Sequence, residues 1–323
     1  MLPLLLPVLM DTVICEPDYN VVRVHELGVV VFREGCDAAA RGAPEWGDAN
    51  VYLPEEDRAP IVFFHGIPFT GDFRVEAPGG SLTAIWPEPS RTVIASSADS
   101  TNPMPVFSAT WQGIEAGLLF EQGYVPVTPC PNDLPFAWAV SIWRQVPALP
   151  LRASDSSWTE MFIYYEANVG PFFRELAAGA GEKDFDILDY YRGEALLFHP
   201  PGRDWPKPAD ILVSRVSVLD GTISMRGTGP QTYDEMSVIE ELLRWSLSEI
   251  EPEEAQAFWQ TWEESVCDPW AEDGWLLFPL PQDMVWGMTT IELTTEQAGR
   301  VEYHRLVLGL VSPGLERFPE ALQ

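Results

Sequence analysis

The sequence predicts a β-rich α+β protein. Its N-terminal half reads as an antiparallel β-sandwich or barrel-like unit, and a mixed half with a late helical hairpin follows. Short apolar or alternating runs, separated by Gly, Pro, Asp and Asn, follow one another through residues 1–128. Six prolines then lie between Pro126 and Pro150, where a central strand or a long helix is disfavoured. These observations predict a β-rich domain over residues 1–128 and a mixed α+β domain over residues 129–323.

The first half is predicted to be antiparallel because no amphipathic helix pattern separates its strand-like runs. The opening decapeptide, Met1–Met10, lacks a basic region and a small-residue cleavage site, so we expect a buried first strand or extended arm rather than a signal peptide. The predicted strands are Thr12–Cys15, Val21–His25, Val29–Phe32, Ile61–Phe64, Ser81–Trp86, Thr92–Ala95 and Val106–Trp111.

The second half begins with a predicted strand at Glu160–Ala167 and a short helix near Pro171–Ala178, with proline in its first turn. Strands are then predicted at Ala195–His199 and Ile211–Leu219. The dipeptide Asp220-Gly221, which follows the second of these, is typical of a two-residue β-hairpin turn.

Two acidic helices are predicted at about residues 232–266. Thr232 and Glu235 have the spacing of a capping box, which predicts the start of the first helix. The second helix is predicted to begin at Pro252. The apolar face predicted for the first helix consists of Met236, Ile239, Leu243, Leu247 and Ile250. The apolar face predicted for the second helix consists of Phe258, Trp259, Trp262 and Val266.

The charge balance excludes several classes of partner. The chain has 49 acidic residues against 19 basic ones, a formal net charge of −30, and no run of Arg or Lys. Phosphate backbones and anionic lipid surfaces repel such a protein. We therefore predict no direct nucleic-acid binding and no membrane insertion, and we expect a soluble protein made in the cytoplasm without a signal peptide.

One segment resembles part of a known enzyme family. The sequence PIVFFHGIPFTGD at Pro60–Asp72 resembles the strand and His-Gly turn that precede the oxyanion loop in α/β-hydrolases. The resemblance implies an esterase in which the turn after His65 helps to bind the oxyanion and His304 serves as a late base. The G-x-S-x-G nucleophile elbow of that family does not occur in this sequence. A divergent esterase is therefore an alternative prediction only.

The histidines and cysteines show no metal-binding pattern. The four histidines are far apart in sequence, and neither an H-E-x-x-H nor a C-x-x-C motif occurs. Each histidine is therefore expected to be solitary. We predict no catalytic residues, no metal site and no cofactor.

The candidate site is the acidic segment Asp234–Asp273. It has thirteen acidic residues against Arg244 alone, a local charge of −12, with tryptophans interleaved. The plain interpretation is a pair of helices with solvated acidic faces. The alternative is a docking surface, in which acidic side chains steer a basic partner and tryptophans act as anchors. The predicted partner-binding residues are Glu240, Glu241, Trp245, Glu253, Glu254, Trp259, Trp262, Glu263 and Trp270.

The sequence thus predicts a non-enzymatic structural or assembly protein that acts through contacts with other protein chains as part of an oligomer. Its composition is similar to that of accessory components of phage virions and tails. The first alternative is an acidic immunity or inhibitor protein, in the extreme a DNA mimic, that binds a basic partner. The divergent esterase is the second alternative.

Overall fold

The computed structural model describes residues 20–32, 38–41, 60–94, 105–117, 127–131, 137–181, 186–199, 211–227, 229–267 and 274–312. The β-rich α+β class is confirmed within these ranges, and the strands form one mixed sheet that does not close. A sandwich or barrel in the N-terminal half is not confirmed. The Met1–Met10 arm, the Thr12–Cys15 strand and Trp270 lie outside the described residues.

The elements alternate irregularly along the chain. The strands are β1 (Val21–Phe32), β2 (Ala38–Arg41), β3 (Ile61–Gly66), β4 (Phe69–Glu76), β5 (Ser81–Trp86), β6 (Arg91–Ile94), β7 (Val106–Ala116), β8 (Leu151–Arg152), β9 (Thr159–Glu160), β10 (Ile163–Asn168), β11 (Gly193–His199), β12 (Leu212–Leu219), β13 (Thr222–Met225), β14 (Gln231–Thr232), β15 (Trp275–Pro279), β16 (Thr290–Thr295) and β17 (Arg300–Val311). The helices are α1 (Val140–Trp143), α2 (Gly170–Ala180), α3 (Ile187–Tyr190), α4 (Glu235–Trp245), α5 (Pro252–Val266) and α6 (Gln282–Met288).

Strand β1 lies in the middle of the sheet. It pairs in parallel with β17 along its whole length, and its other edge pairs antiparallel with β2 and β3. Beyond β17 the sheet continues through β15, β11 and β12. Beyond β3 it continues through β10, β5 and β7 to β4 and β16. Strands from both sides of residue 128 thus share one sheet, while the division into domains at that residue stays a prediction.

The two faces of β1 belong to two different hydrophobic cores, because successive side chains of a strand point to opposite faces. Val24 and Val30 join the core that includes α2, α3 and α6, here called the α2 side. Leu27 and Val29 join the core that includes α1, α4 and α5, here called the α5 side. Because both faces are covered, every residue of β1 except Arg23 is buried, including the polar residues His25 and Glu26.

Several local predictions are confirmed. Strand β5 has the predicted bounds, and α2 covers the helix predicted near Pro171–Ala178. Asp220 and Gly221 have φ angles of 49° and 72° and join β12 to β13 as a hairpin turn. The two runs predicted as separate strands, Val21–His25 and Val29–Phe32, form the single strand β1.

Helix α5 begins at Pro252 as predicted, and its four predicted apolar residues are all buried. The prediction for α4 is partly wrong. Its N-cap is Asp234, whose side chain accepts a hydrogen bond from the backbone N–H of Ser237. Of the predicted apolar face, Ile239 and Ile250 are buried, but Met236 and Leu247 are 57% and 79% exposed. The buried stripe of α4 runs through Val238, Ile239 and Leu242, and Leu247 lies beyond the end of the helix at Trp245. The longest described helix, α5, has 15 residues, and no helix in the described ranges has the length and apolar character that a membrane crossing requires.

A buried ion pair on the α2 side joins β1 to β17. Glu26 and Arg305 are partners in the strand register, and both side chains are completely buried. Arg305 Nη2 donates to Glu26 Oε1 over 3.0 Å, and the Tyr165 hydroxyl donates to the same oxygen over 2.6 Å. Burial lowers the pKa of Arg305, but the Glu26 carboxylate opposes this effect and the net shift is upward. Glu26 is therefore accommodated within a strand that is buried on both faces.

Arg305 also contacts the segment after α6. Its guanidinium donates to the carbonyl oxygen and to the Oγ1 of Thr289 over 2.8 and 2.7 Å, and it lies 4.5 Å from the centre of the Trp286 ring. These contacts satisfy the remaining donors of the buried cation, as a buried charge requires.

We predict that Arg305→Met destabilises the protein by about 3–5 kcal/mol, because it leaves the Glu26 carboxylate buried without its cation. Urea unfolding followed by circular dichroism measures the change. The matched control is Arg300→Met on the same strand, whose side chain is 58% exposed and pairs with Glu302 at the surface. It should unfold at nearly the wild-type urea concentration. Equal losses in the two variants would contradict the assigned role of the buried pair.

Candidate functional site

Three histidines lie side by side on three adjacent strands. His25 of β1 is the register partner of His304 of β17, and His65 of β3 is paired with Arg23 of β1. The ring centroids are 4.5 Å apart for His25 and His65, and 5.2 Å apart for His25 and His304. The strand alternation turns all three imidazoles toward the α5 side. The interpretation of these histidines as solitary residues is therefore wrong, because strand pairing brings them together.

Glu254 of α5 faces this row from the opposite side. The helix begins with Glu251 as N-cap, which places Glu254 at the third helical position, the capping-box position. Its Oε2 accepts hydrogen bonds from the backbone N–H of Glu251 over 2.7 Å and from Nδ1 of His25 over 2.8 Å. Its Oε1 accepts from Nε2 of His65 over 2.8 Å. One carboxylate thus joins the start of α5 to two strands of the sheet.

The environment keeps the Glu254 carboxyl group ionised. Burial by itself raises its pKa, but the hydrogen bonds and charges of His25 and His65 outweigh burial and lower the pKa to about 2. The N-terminal end of a helix also favours negative charge. At neutral pH the site therefore holds a buried carboxylate that is surrounded by donors.

His304 completes the row at its outer end. Its Nδ1 lies 2.9 Å from a carboxylate oxygen of Glu249, and its Nε2 lies 3.8 Å from one of Glu302. The first of these contacts is close but does not have the geometry of a hydrogen bond. Next to it, the buried Nε2 of His25 has no hydrogen-bond partner among the described residues. His304 is thus linked to the site by ring contact with His25.

The donor atoms converge closely enough to hold a metal ion. One ligand atom each from His25, His65 and Glu254 lie within 4.8 Å of one another, and all three residues are buried. Two imidazoles and a carboxylate are a donor set that suits Zn²⁺ and related divalent transition metals. The same groups also form a closed set of hydrogen bonds without an ion.

The surroundings of His65 differ from the α/β-hydrolase element that its sequence resembles. Strand β3 is antiparallel to both β1 and β10. The strand β4 follows Gly66 after a short turn, where that family has its oxyanion loop. His65 Nε2 is occupied by the Glu254 carboxylate. The esterase stays an untested hypothesis.

The structure divides the predicted partner-binding residues into three groups. Glu240 and Glu253 are exposed, and Trp245 and Glu263 are half-buried. Trp270 lies outside the described residues. The remaining four residues are buried: Glu241, Glu254, Trp259 and Trp262.

Trp259 and Trp262 are therefore not surface anchors, contrary to the prediction. Both belong to the α5-side core, where Trp259 stacks near Phe198 with ring centroids 5.7 Å apart. Trp259 Nε1 also donates to the Tyr233 hydroxyl over 2.7 Å. The apolar side of an amphipathic helix faces the sheet, so these rings do not meet a partner. Glu241 is likewise occupied, since it accepts two hydrogen bonds from Arg244.

The sequence did not predict the row of three histidines, although the residues around each histidine gave a weak indication that it is buried. His25, His65 and His304 each lie in or beside an apolar strand segment, as in VVRVHELG, IVFFHG and VEYHRLVLGL. A polar side chain within a run of this kind is expected to be buried and to need a partner. The partner itself could not be found in this way, because Glu254 lies more than 180 residues from His25 and from His65.

Comparison with protein-family models, with curated proteins and with solved structures finds no match to this chain.

We predict that Glu254→Gln destabilises the protein by about 3 kcal/mol, since an amide cannot accept from both imidazoles and carries no charge. Chemical unfolding measures the loss. Glu253→Gln is the matched control, because it makes the same substitution at the exposed neighbouring position. It should leave the unfolding midpoint almost unchanged. Similar midpoints for the two variants would show that the carboxylate does not hold α5 to the sheet.

We also predict a specific acid sensitivity. Because folding lowers the pKa of Glu254 from the usual 4.5 to about 2, its contribution to stability is complete above pH 4.5 and is lost as the pH falls toward 2. The free energy of unfolding, measured with a chelator present, should decrease more steeply over this interval in the wild type than in Glu254→Gln. Parallel curves for the two proteins would contradict the lowered pKa.

Proposed function

We propose that this protein is a non-enzymatic component that acts through contacts with other protein chains, and that the outer face of α4 and α5 is its contact surface. The exposed residues of α5 recur at helical spacing and form one stripe along the helix. The stripe consists of Glu253, Gln256, Gln260 and Glu264.

The observation that carries this proposal is the set of unpaired carboxylates on that face. Glu240 of α4 and Glu253 and Glu264 of α5 are exposed, and none of them has an ion-pair partner among the described residues. Unpaired acidic side chains on a folded surface attract and orient a partner of opposite charge. The partner proposed is therefore a protein with a basic surface.

The buried side of the same helices makes this surface rigid. Trp259 and Trp262 anchor α5 in the core, and Glu254 fixes its first turn to the strands. A surface that is already in its binding conformation loses little entropy on docking. The buried tryptophans therefore contribute to the orientation of the surface and not to the contact itself.

Two biological roles are compatible with a basic protein partner. In the first role, the protein is a structural component of an oligomeric assembly, such as an accessory protein of a phage virion or tail. In the second, it is an acidic immunity or inhibitor protein, in the extreme a DNA mimic, that neutralises a basic protein. The unpaired carboxylates favour the second role as a specific alternative. The divergent esterase is the remaining alternative.

We predict that the double variant Glu240→Lys/Glu253→Lys loses its natural partner. Affinity purification from the source cells with wild-type protein as bait recovers the partner, and the dissociation constant is then measured against salt concentration. Reversing two charges on the face should weaken binding at least about tenfold at low salt. High salt should weaken the binding of wild-type protein as well.

The control is Glu292→Lys/Glu296→Lys, which makes the same change in net charge at exposed positions in and just after β16. This variant should keep the partner. Equal loss of binding in both double variants would mean that only the total charge matters, and recovery of the partner by both would place the contact elsewhere.

A further inference from the structure

The cluster of His25, His65 and Glu254 has the features of a metal-binding site. The three residues come from β1, β3 and α5, and they are 0%, 8% and 0% exposed. Their donor atoms lie within 4.8 Å of one another. Each of these residue types is a common ligand of Zn²⁺, and a His₂Glu set is one of its usual protein environments.

The spacing allows an ion to enter with small movements. His25 Nδ1 and His65 Nε2 are each 2.8 Å from an oxygen of Glu254. Two ligands of a tetrahedral zinc, at about 2.0–2.2 Å from the metal, lie about 3.4 Å from each other. The two bonds go to different oxygens of Glu254, so each bonded nitrogen–oxygen pair opens by about 0.6 Å to take the ion. The donor atoms that are farther apart, by up to 4.8 Å, move closer together.

We propose that His25, His65 and Glu254 bind one divalent transition-metal ion, with Zn²⁺ as the ion of best fit. This inference is independent of the proposed docking function. The donors are His25 Nδ1, His65 Nε2 and a carboxylate oxygen of Glu254. On binding, the proton on each ligating nitrogen moves to the other nitrogen of its ring, or is released if that nitrogen is already protonated. Glu254 is ionised before the ion arrives, so the carboxylate loses no proton.

The chemistry of the site selects against the common hard cations. Ca²⁺ prefers six to eight oxygen ligands, and Mg²⁺ keeps several of its water molecules. Two imidazoles and one carboxylate, all buried, satisfy neither preference. The carboxylates of Glu249 and Glu302, which lie close to His304, add negative charge beside the site and favour a cation over a neutral occupant.

The ion would have a structural role, because it would link α5 to the sheet. Its ligands belong to elements that are brought together only by folding, so the unfolded chain offers no comparable site, and binding stabilises the folded state. The part that is stabilised is the junction of the first turn of α5 with β1 and β3. His25, His65 and Glu254 then hold the helix through metal bonds in place of two hydrogen bonds.

The test is zinc binding by the full-length chain after removal of metals with a chelator. Equilibrium dialysis against micromolar Zn²⁺, with millimolar Mg²⁺ present to occupy surface carboxylates, is followed by metal analysis of the protein. The expected result is one zinc per chain, together with a higher thermal unfolding temperature. Co²⁺ in place of Zn²⁺ should give the visible absorption bands of a four- or five-coordinate site.

The variant His65→Gln should lose most of this affinity, by more than the 10- to 100-fold that removal of an outer-shell partner typically costs. Its unfolding temperature should no longer respond to Zn²⁺. His199→Gln is the matched control, since His199 is half-buried and its Nε2 is bonded to Ser214, outside the cluster. It should bind zinc as the wild type does.

Two results would overturn the proposal. The first is a wild-type protein that binds no zinc under these conditions, which would leave the cluster as a set of hydrogen bonds. The second is a folded His65→Gln variant that retains the wild-type affinity. If His65→Gln does not fold, X-ray absorption of the zinc-loaded wild type decides, because a site without two imidazole ligands would contradict the assignment.

Discussion

The structure depends on one constraint, the burial of β1 on both faces. Hydrophobic side chains are stable when they are buried in this way, but a buried polar side chain needs a hydrogen-bond or ion-pair partner. His25 and Glu26 are adjacent and therefore point into opposite cores. Glu26 is balanced by Arg305 across the strand register, and His25 is bonded to Glu254 of α5. These two polar clusters thus arise from two consecutive residues of one strand.

These clusters connect segments that are far apart in the sequence. Arg305 belongs to the last described strand and joins β17 to β1, while Glu254 joins α5 to β1 and β3. Both connections replace solvation by charge-assisted hydrogen bonds, which are stronger than neutral ones but costly when one partner is removed. The central sheet is consequently specified by polar groups as well as by hydrophobic packing.

Helix α5 relates the buried cluster to the proposed contact surface. Glu253 and Glu254 are neighbours of the same residue type, yet one is exposed and the other is completely buried. A helix turns about 100° per residue, so consecutive side chains face different surroundings. The inner carboxylate fixes the position of the helix, and the outer one belongs to the surface that we propose for docking. A metal ion at the inner site would hold the outer surface in the same orientation more firmly.

The sequence by itself determined the features that depend on neighbouring residues. Strand β5, the Asp220-Gly221 turn, the start of α5 at Pro252 and the buried side of α5 all followed from local patterns. Only the tertiary structure decided which distant segments pair. No local pattern predicts that β17 lies beside β1, that three separate histidines form a row, or which stripe of α4 faces the core. The physical reason is that strand register and helix orientation are set by the fit of surfaces far apart in sequence, such as Glu26 and Arg305, which are 279 residues apart.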